Sequence, residues 1–91
     1  MLLNLSNETR SKLSNIEKYT AETWGEKQSK AYIKSFTDKF ELIATLPHLG
    51  RFLFARDGFE HRRIVHREHI ITYFIIGSFV FVYRIRSHYQ R

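Results

Sequence analysis

Ninety-one residues are enough chain for one hydrophobic core and too little for two. Apolar residues at 43% and charged residues at 26% exclude a disordered chain, and the absence of cysteine excludes disulfide staples, cysteine-ligated zinc and iron–sulfur clusters. The formal net charge of +6 is uneven: residues 1–49 hold seven basic and six acidic side chains, and residues 50–91 hold eight and three.

The segment Met1-Leu2-Leu3-Asn4-Leu5 is short and apolar, as an edge strand is. Ser6 reads as a helix N-cap, with Glu8 in the first turn where it complements the helix dipole. Leu13, Ile16, Tyr19 or Thr20, and Trp24 recur at three- and four-residue steps, and Gly25 stops the helix. A second helix is predicted from about Glu26 to Leu46, with Tyr32, Ile33, Phe36, Phe40, Ile43 and Ala44 on one stripe. Pro47 ends it. With almost nothing between them, the two helices form an antiparallel hairpin.

After Gly50 the period shortens. Arg62–His66, His69–Ile76 and Phe79–Ser87 read as strands, and Gly77-Ser78 is a two-residue hairpin signal. The uncharged run Ile70–Tyr83 has 14 residues, short of the ~20 that span a bilayer, so no membrane segment is expected. The fold class is α+β: an N-terminal αα-hairpin packed on a three- to four-stranded antiparallel sheet, in one domain over residues 1–91. No signal segment opens the chain, which makes a cytoplasmic location the expectation.

Pairing the strands through Gly77-Ser78 sets Ile76 beside Phe79, Phe74 beside Phe81, Thr72 beside Tyr83 and Ile70 beside Ile85. That face is nearly all apolar and is predicted to pack on the helices. The other face pairs Ile75 with Val80, Tyr73 with Val82, Ile71 with Arg84 and His69 with Arg86. Continuing through an Arg67-Glu68 turn adds Arg62, Ile64 and His66, and alternation adds His88. This outer face is expected to be apolar at one end and rich in Arg and His at the other, a binding surface for an anionic partner. All six lysines lie at or before Lys39, so the bases of the second half are arginine and histidine. The histidines lack the spacing of a metal site, and no metal or cofactor is expected.

Several segments together resemble the RelE/ParE superfamily of toxin–antitoxin toxins. Leu5-Ser6, Tyr19, Trp24-Gly25, Gln28, Tyr32, Phe36 and Phe40 stand at that superfamily's spacings. Leu46-Pro47-His48-Leu49-Gly50-Arg51 resembles its helix exit, and His69-Ile70-Ile71-Thr72-Tyr73 its first C-terminal strand. The ParE-like branch is the most similar. The resemblance implies a compact RelE-like fold, poisoning of DNA gyrase by binding, and neutralisation by a cognate antitoxin. An acidic amphipathic antitoxin segment is expected to set apolar anchors at Ile75, Val80 and Val82 and acids at Arg84 and Arg86. Arg62, Ile64, His66, Ile71 and Tyr73 complete that expected binding set for antitoxin or target.

The C-terminal half is also similar to the YoeB-like ribosome-dependent mRNA interferases, through Gly58-Phe59-x-x-Arg62-Arg63-Ile64 and Arg86-Ser87-His88-Tyr89. That likeness implies the ribosome and mRNA as alternative partners. RNA cleavage needs a base for the 2′-hydroxyl, cations for the phosphorane and an acid for the leaving oxygen. His69, Arg84, Arg86, His88 and Tyr89 are the catalytic candidates on that reading. Two residues of the branch's pattern are missing: Asp57 is the sole acid in residues 47–57, and Ile70 stands where the branch has arginine.

Overall fold

The computed structural model describes residues 1–88. In chain order it comprises β1 (Leu2–Leu5), α1 (Asn7–Trp24), α2 (Glu26–Thr45), a 3-10 turn (Pro47–Leu49), β2 (Arg51–Arg56), β3 (Phe59–His66), β4 (His69–Ile76) and β5 (Phe79–Ser87). The five strands form one sheet in the order β1-β5-β4-β3-β2, with β1 parallel to β5 and every other pair antiparallel. The α+β class and the helix hairpin are as expected. The sheet is larger than expected and mixed, not antiparallel throughout: β1 is the expected edge strand but runs parallel to β5, and β2 adds the opposite edge.

Ser6 ties the first helix to the sheet. Its side chain accepts from the Thr9 amide at 3.0 Å, as an N-cap does, and its own amide donates to the Val82 carbonyl at 2.9 Å. Thr9 Oγ1 also donates to that carbonyl, at 3.2 Å. Alanine at position 6 leaves the Thr9 amide short of an acceptor. Ser6→Ala is expected to lower stability by about 1–2 kcal/mol, read as an earlier midpoint in urea at unchanged m-value.

Gly25, at φ +95°, both ends α1 and precedes α2. The helices approach closely there because the buried contact is made by small polar groups. Thr20 Oγ1 and Ser29 Oγ lie 2.7 Å apart, and Ser29 Oγ donates to the Glu17 carbonyl at 2.8 Å. Further along, Ile16, Phe36, Phe40 and Ile43 turn toward the sheet. They meet Ile71, Tyr73 and Ile75 of β4 and Val80, Val82 and Ile85 of β5. No helix among the described residues is long and apolar enough to cross a membrane.

Candidate functional site

The register through Gly77-Ser78 follows expectation from Ile76↔Phe79 to Tyr73↔Val82 and then breaks. A bulge at Tyr83 pairs Thr72 with Arg84, Ile71 with Ile85, Ile70 with Arg86 and His69 with Ser87. One inserted residue reverses the facing of everything beyond it. The expected partners Thr72–Tyr83, Ile71–Arg84, Ile70–Ile85 and His69–Arg86 are therefore corrected.

The two faces are also exchanged. Ile71, Tyr73, Ile75, Val80 and Val82 do share a face, joined by Arg62, Ile64 and His66 across β3. That face is the one covered by the helices, and those five side chains are between 0% and 7% exposed. Ile75, Val80 and Val82 are core and offer no anchor zone to an antitoxin. Ile64 packs against the same core. Arg62 holds the chain turn instead of facing a partner: its Nη1 donates to the carbonyls of Gly50 (2.6 Å) and His48 (3.2 Å), and its Nε to Glu60.

The face opposite the helices is the one that the sequence reading buried. Phe54 stacks on His61 at a centroid distance of 4.2 Å, and Phe74 lies 5.1 Å from Phe81, 5.1 Å from Phe59 and 5.8 Å from Tyr83. His61 Nδ1 and the Tyr83 hydroxyl are 2.9 Å apart. Burial under these rings lowers the pKa of His61 and raises that of Tyr83. The outermost rings stay open, with Phe54 at 49% exposure and Phe79 at 47%.

The catalytic candidates divide between the faces. His69 lies on the helix side, its Nδ1 3.3 Å from the Tyr32 hydroxyl and its ring 5.5 Å from that of Phe36. Burial, then the nearby Lys12, lowers its pKa. Arg84 and Arg86 pair with Thr72 and Ile70, on the opposite side. The His88 amide donates to the Glu68 carbonyl at 2.6 Å, which sets His88 beside the β3–β4 turn. Tyr89 lies outside the described residues. His66, expected on the binding face, is 9% exposed beneath α2, 2.9 Å from Ser35 Oγ.

β1 pairs only with Phe79–Val82, so among the described residues no strand pairs with β5 on that side from Tyr83 onward. A groove of about 650 Å³ runs there between α1 and β5, lined by Lys12, Asn15, Arg84 and Arg86, with Glu8 the one acid among its described lining residues. A second groove, of about 340 Å³, shares Lys12 and Asn15 and leads past Glu68 and His69 to Ile16, Tyr19, Trp24 and Tyr32. Cations at one end and rings at the other make the pair of grooves amphipathic.

The family model described as "ParE toxin of type II toxin-antitoxin system, parDE" matches residues 3–91. This chain belongs to the ParE toxin family. No curated protein matches its sequence at a significant level. Among solved structures it is similar to a chain titled "Chromosomal ParDE TA system from P. aeruginosa", at a TM-score of 0.75 and 12% identity, over 96% of this chain and 95% of that one. At that identity the likeness speaks for the fold.

In this ParE-family chain the Pro47-His48-Leu49-Gly50-Arg51 stretch has a physical reason. The Tyr73 hydroxyl, carried on a fully buried ring, donates to the Pro47 carbonyl at 2.7 Å and accepts from the Gly50 amide at 2.9 Å. The turn that leads from α2 into β2 is pinned to the centre of the sheet. Sequence reasoning missed β2 and the edge of the outer face that it supplies, Phe54 included. The Asp57-Gly58 dipeptide was the available signal, since both residues have positive φ in the β2–β3 hairpin.

Proposed function

We propose that this chain is a toxin that acts by binding DNA gyrase and stalling its cleaved-DNA complex, with no bond chemistry of its own. The observation that carries this reading beyond family membership is the division of the acid–base candidates. His69 lies against Tyr32 and Phe36 in the second groove while Arg84 and Arg86 line the first and pair on the opposite face, and among the described residues no hydrogen bond joins the two sets into an acid–base array. A binding toxin needs no such convergence.

A cognate antitoxin neutralises it through an acidic amphipathic segment. The amphipathic grooves along α1 suit that ligand better than the sheet face first expected to hold it. Acids meet Lys12, Arg84 and Arg86, while apolar side chains reach Tyr19 and Trp24, which are 63% and 52% exposed. A segment that is disordered until bound also finds the unpaired edge of β5 available for strand addition.

The deciding experiment adds purified protein separately to a gyrase supercoiling assay and to a translating extract. Cleaved plasmid with intact mRNA is the expected result. Codon-phased mRNA cuts with unaffected gyrase overturn the reading in favour of an interferase.

A further inference from the structure

The outer face of the sheet carries two rows of side chains that run across the strands. Arg51 pairs with Arg63, Arg63 with Thr72, and Thr72 with Arg84, which makes one row of three arginines over four strands. Phe54 pairs with His61, His61 with Phe74, and Phe74 with Phe81, which makes a parallel row of rings. The rows are two pleat positions apart, about 6.7 Å along a strand, and members of each row are about 4.8 Å apart from strand to strand. The bulges at Leu53 and Tyr83 both fall between the two rows.

This arrangement costs stability. Like charges directly opposite on one face of a sheet repel, and Arg51 and Arg63 are direct partners. Among the described residues no Asp or Glu lies on this face, and none of Arg51, Arg63, Arg84 or Arg86 forms an ion pair. No helix covers the rings, and Phe54 at the end of their row stays 49% exposed. The inner rings pack on one another, but folding explains neither the arginine row nor the exposed ring of Phe54.

We propose that this face binds single-stranded nucleic acid, with phosphates along the arginine row and a base stacked at the open end of the ring row, on Phe54. Arginine forks match phosphate oxygens, and the ring of Phe54, stacked on His61 and 49% exposed, offers a stacking platform to any base. The rows are continuous and side by side, which is the order of parts in a nucleotide chain: charged backbone on one side, planar bases on the other. An acidic peptide satisfies the arginines but makes no use of the open ring of Phe54. In a toxin acting on cleaved DNA, such a face holds a strand separated at the cut. Binding to a free oligonucleotide needs no gyrase, so this inference and the gyrase reading fail independently.

The test measures anisotropy of a labelled oligothymidylate of about twelve bases titrated with the purified full chain. The expected result is saturable binding whose log–log dependence on salt has a slope of about −2, as for three phosphates on a single strand. Arg51→Ala with Arg63→Ala is expected to weaken binding at least tenfold and bring the slope to about −0.7. Phe54→Ala is expected to weaken it about tenfold while leaving the slope unchanged, because stacking releases no counterions. Arg51 and Phe54 are exposed on the edge strand, and unchanged thermal melting confirms that the variants remain folded. Absence of binding at low salt overturns the proposal, and so does a slope untouched by the arginine pair. Competition by polyglutamate as effective as by oligothymidylate overturns it in favour of an acidic protein. Equal competition by duplex DNA overturns the stacking.

Discussion

Gly50→Ala is expected to lower the melting temperature by roughly 10–25 °C, the equivalent of about 2–4 kcal/mol in a domain of this size. The cause is space and not backbone strain, because Gly50 has an ordinary φ of −72°. A methyl group there would lie 2.4 Å from the Tyr73 hydroxyl oxygen and 2.9 Å from the Arg63 carbonyl oxygen. Neither neighbour can move cheaply. Tyr73 is fully buried and its hydroxyl is fixed at both ends, by Pro47 and Gly50, while the Arg63 carbonyl belongs to the β3 backbone. Relieving the clash breaks the two hydrogen bonds, and buried groups left unpaired cost about 1–3 kcal/mol each.

The double variant separates the two contributions. Tyr73→Phe alone removes the hydroxyl and leaves the Pro47 carbonyl and Gly50 amide short of a partner. Combined with Gly50→Ala it also removes the nearest clashing atom, so the pair is expected to cost less than the sum of the singles. Thermal melts of the three variants by circular dichroism give the comparison. A Gly50→Ala melting point within about 3 °C of the parent contradicts the packing account.

The same turn shows how far local sequence carries. Ser6, Gly25 and Pro47 punctuate the helices at positions that the structure respects to within a residue or so, because caps and breakers act through their own backbone. The Arg67-Glu68 and Gly77-Ser78 turns were legible for the same reason, and they set the register of β3, β4 and the first half of β5 correctly. What failed was the choice of face. Both faces of β4 and β5 are apolar, so alternation identifies two sets and does not say which the helices cover. The face with Phe74, Ile76, Phe79 and Phe81 looks the more hydrophobic, yet the helices bury Ile71, Tyr73, Ile75, Val80 and Val82.

Two long-range facts decide it, and neither is visible in a window of sequence. Branched aliphatic side chains fit between Phe36, Phe40 and Ile43 of the helices, and the Tyr73 hydroxyl finds its partners only in a turn 23 and 26 residues earlier. The bulge at Tyr83 was hidden as well, since no glycine marks it. Its consequence reached the site: Arg84 and Arg86 left His69 behind and joined the aromatic face. In β2, the bulge at Leu53 broke the alternation of Arg51–Arg56, so the edge strand did not look like one.

Acidification from pH 7 to pH 5 is expected to cost about 2 kcal/mol of stability through His66 alone. Its ring is 9% exposed, in edge contact with Phe36 at 4.6 Å and beside Ser35. The Ser35 hydroxyl donates to the Tyr32 carbonyl, so it receives Nε2–H from the neutral imidazole. Burial, then the positive charges of Lys39 and Arg67, and last His69, push the His66 pKa from 6.5 down to about 4. With the folded-state value the lower one, the unfolded chain binds the extra proton. The contribution is therefore complete above pH 6.5 and is lost as pH falls from 6.5 toward 4. His69 and His61 are shifted the same way and add to the fall. Urea denaturation at pH 7, 6 and 5 measures it in a range where most carboxylates stay ionised. His66→Gln keeps a donor for Ser35 and cannot take a proton, so its stability is expected to vary less with pH by that same ~2 kcal/mol. An equally steep fall in the variant would assign the acid sensitivity to other groups.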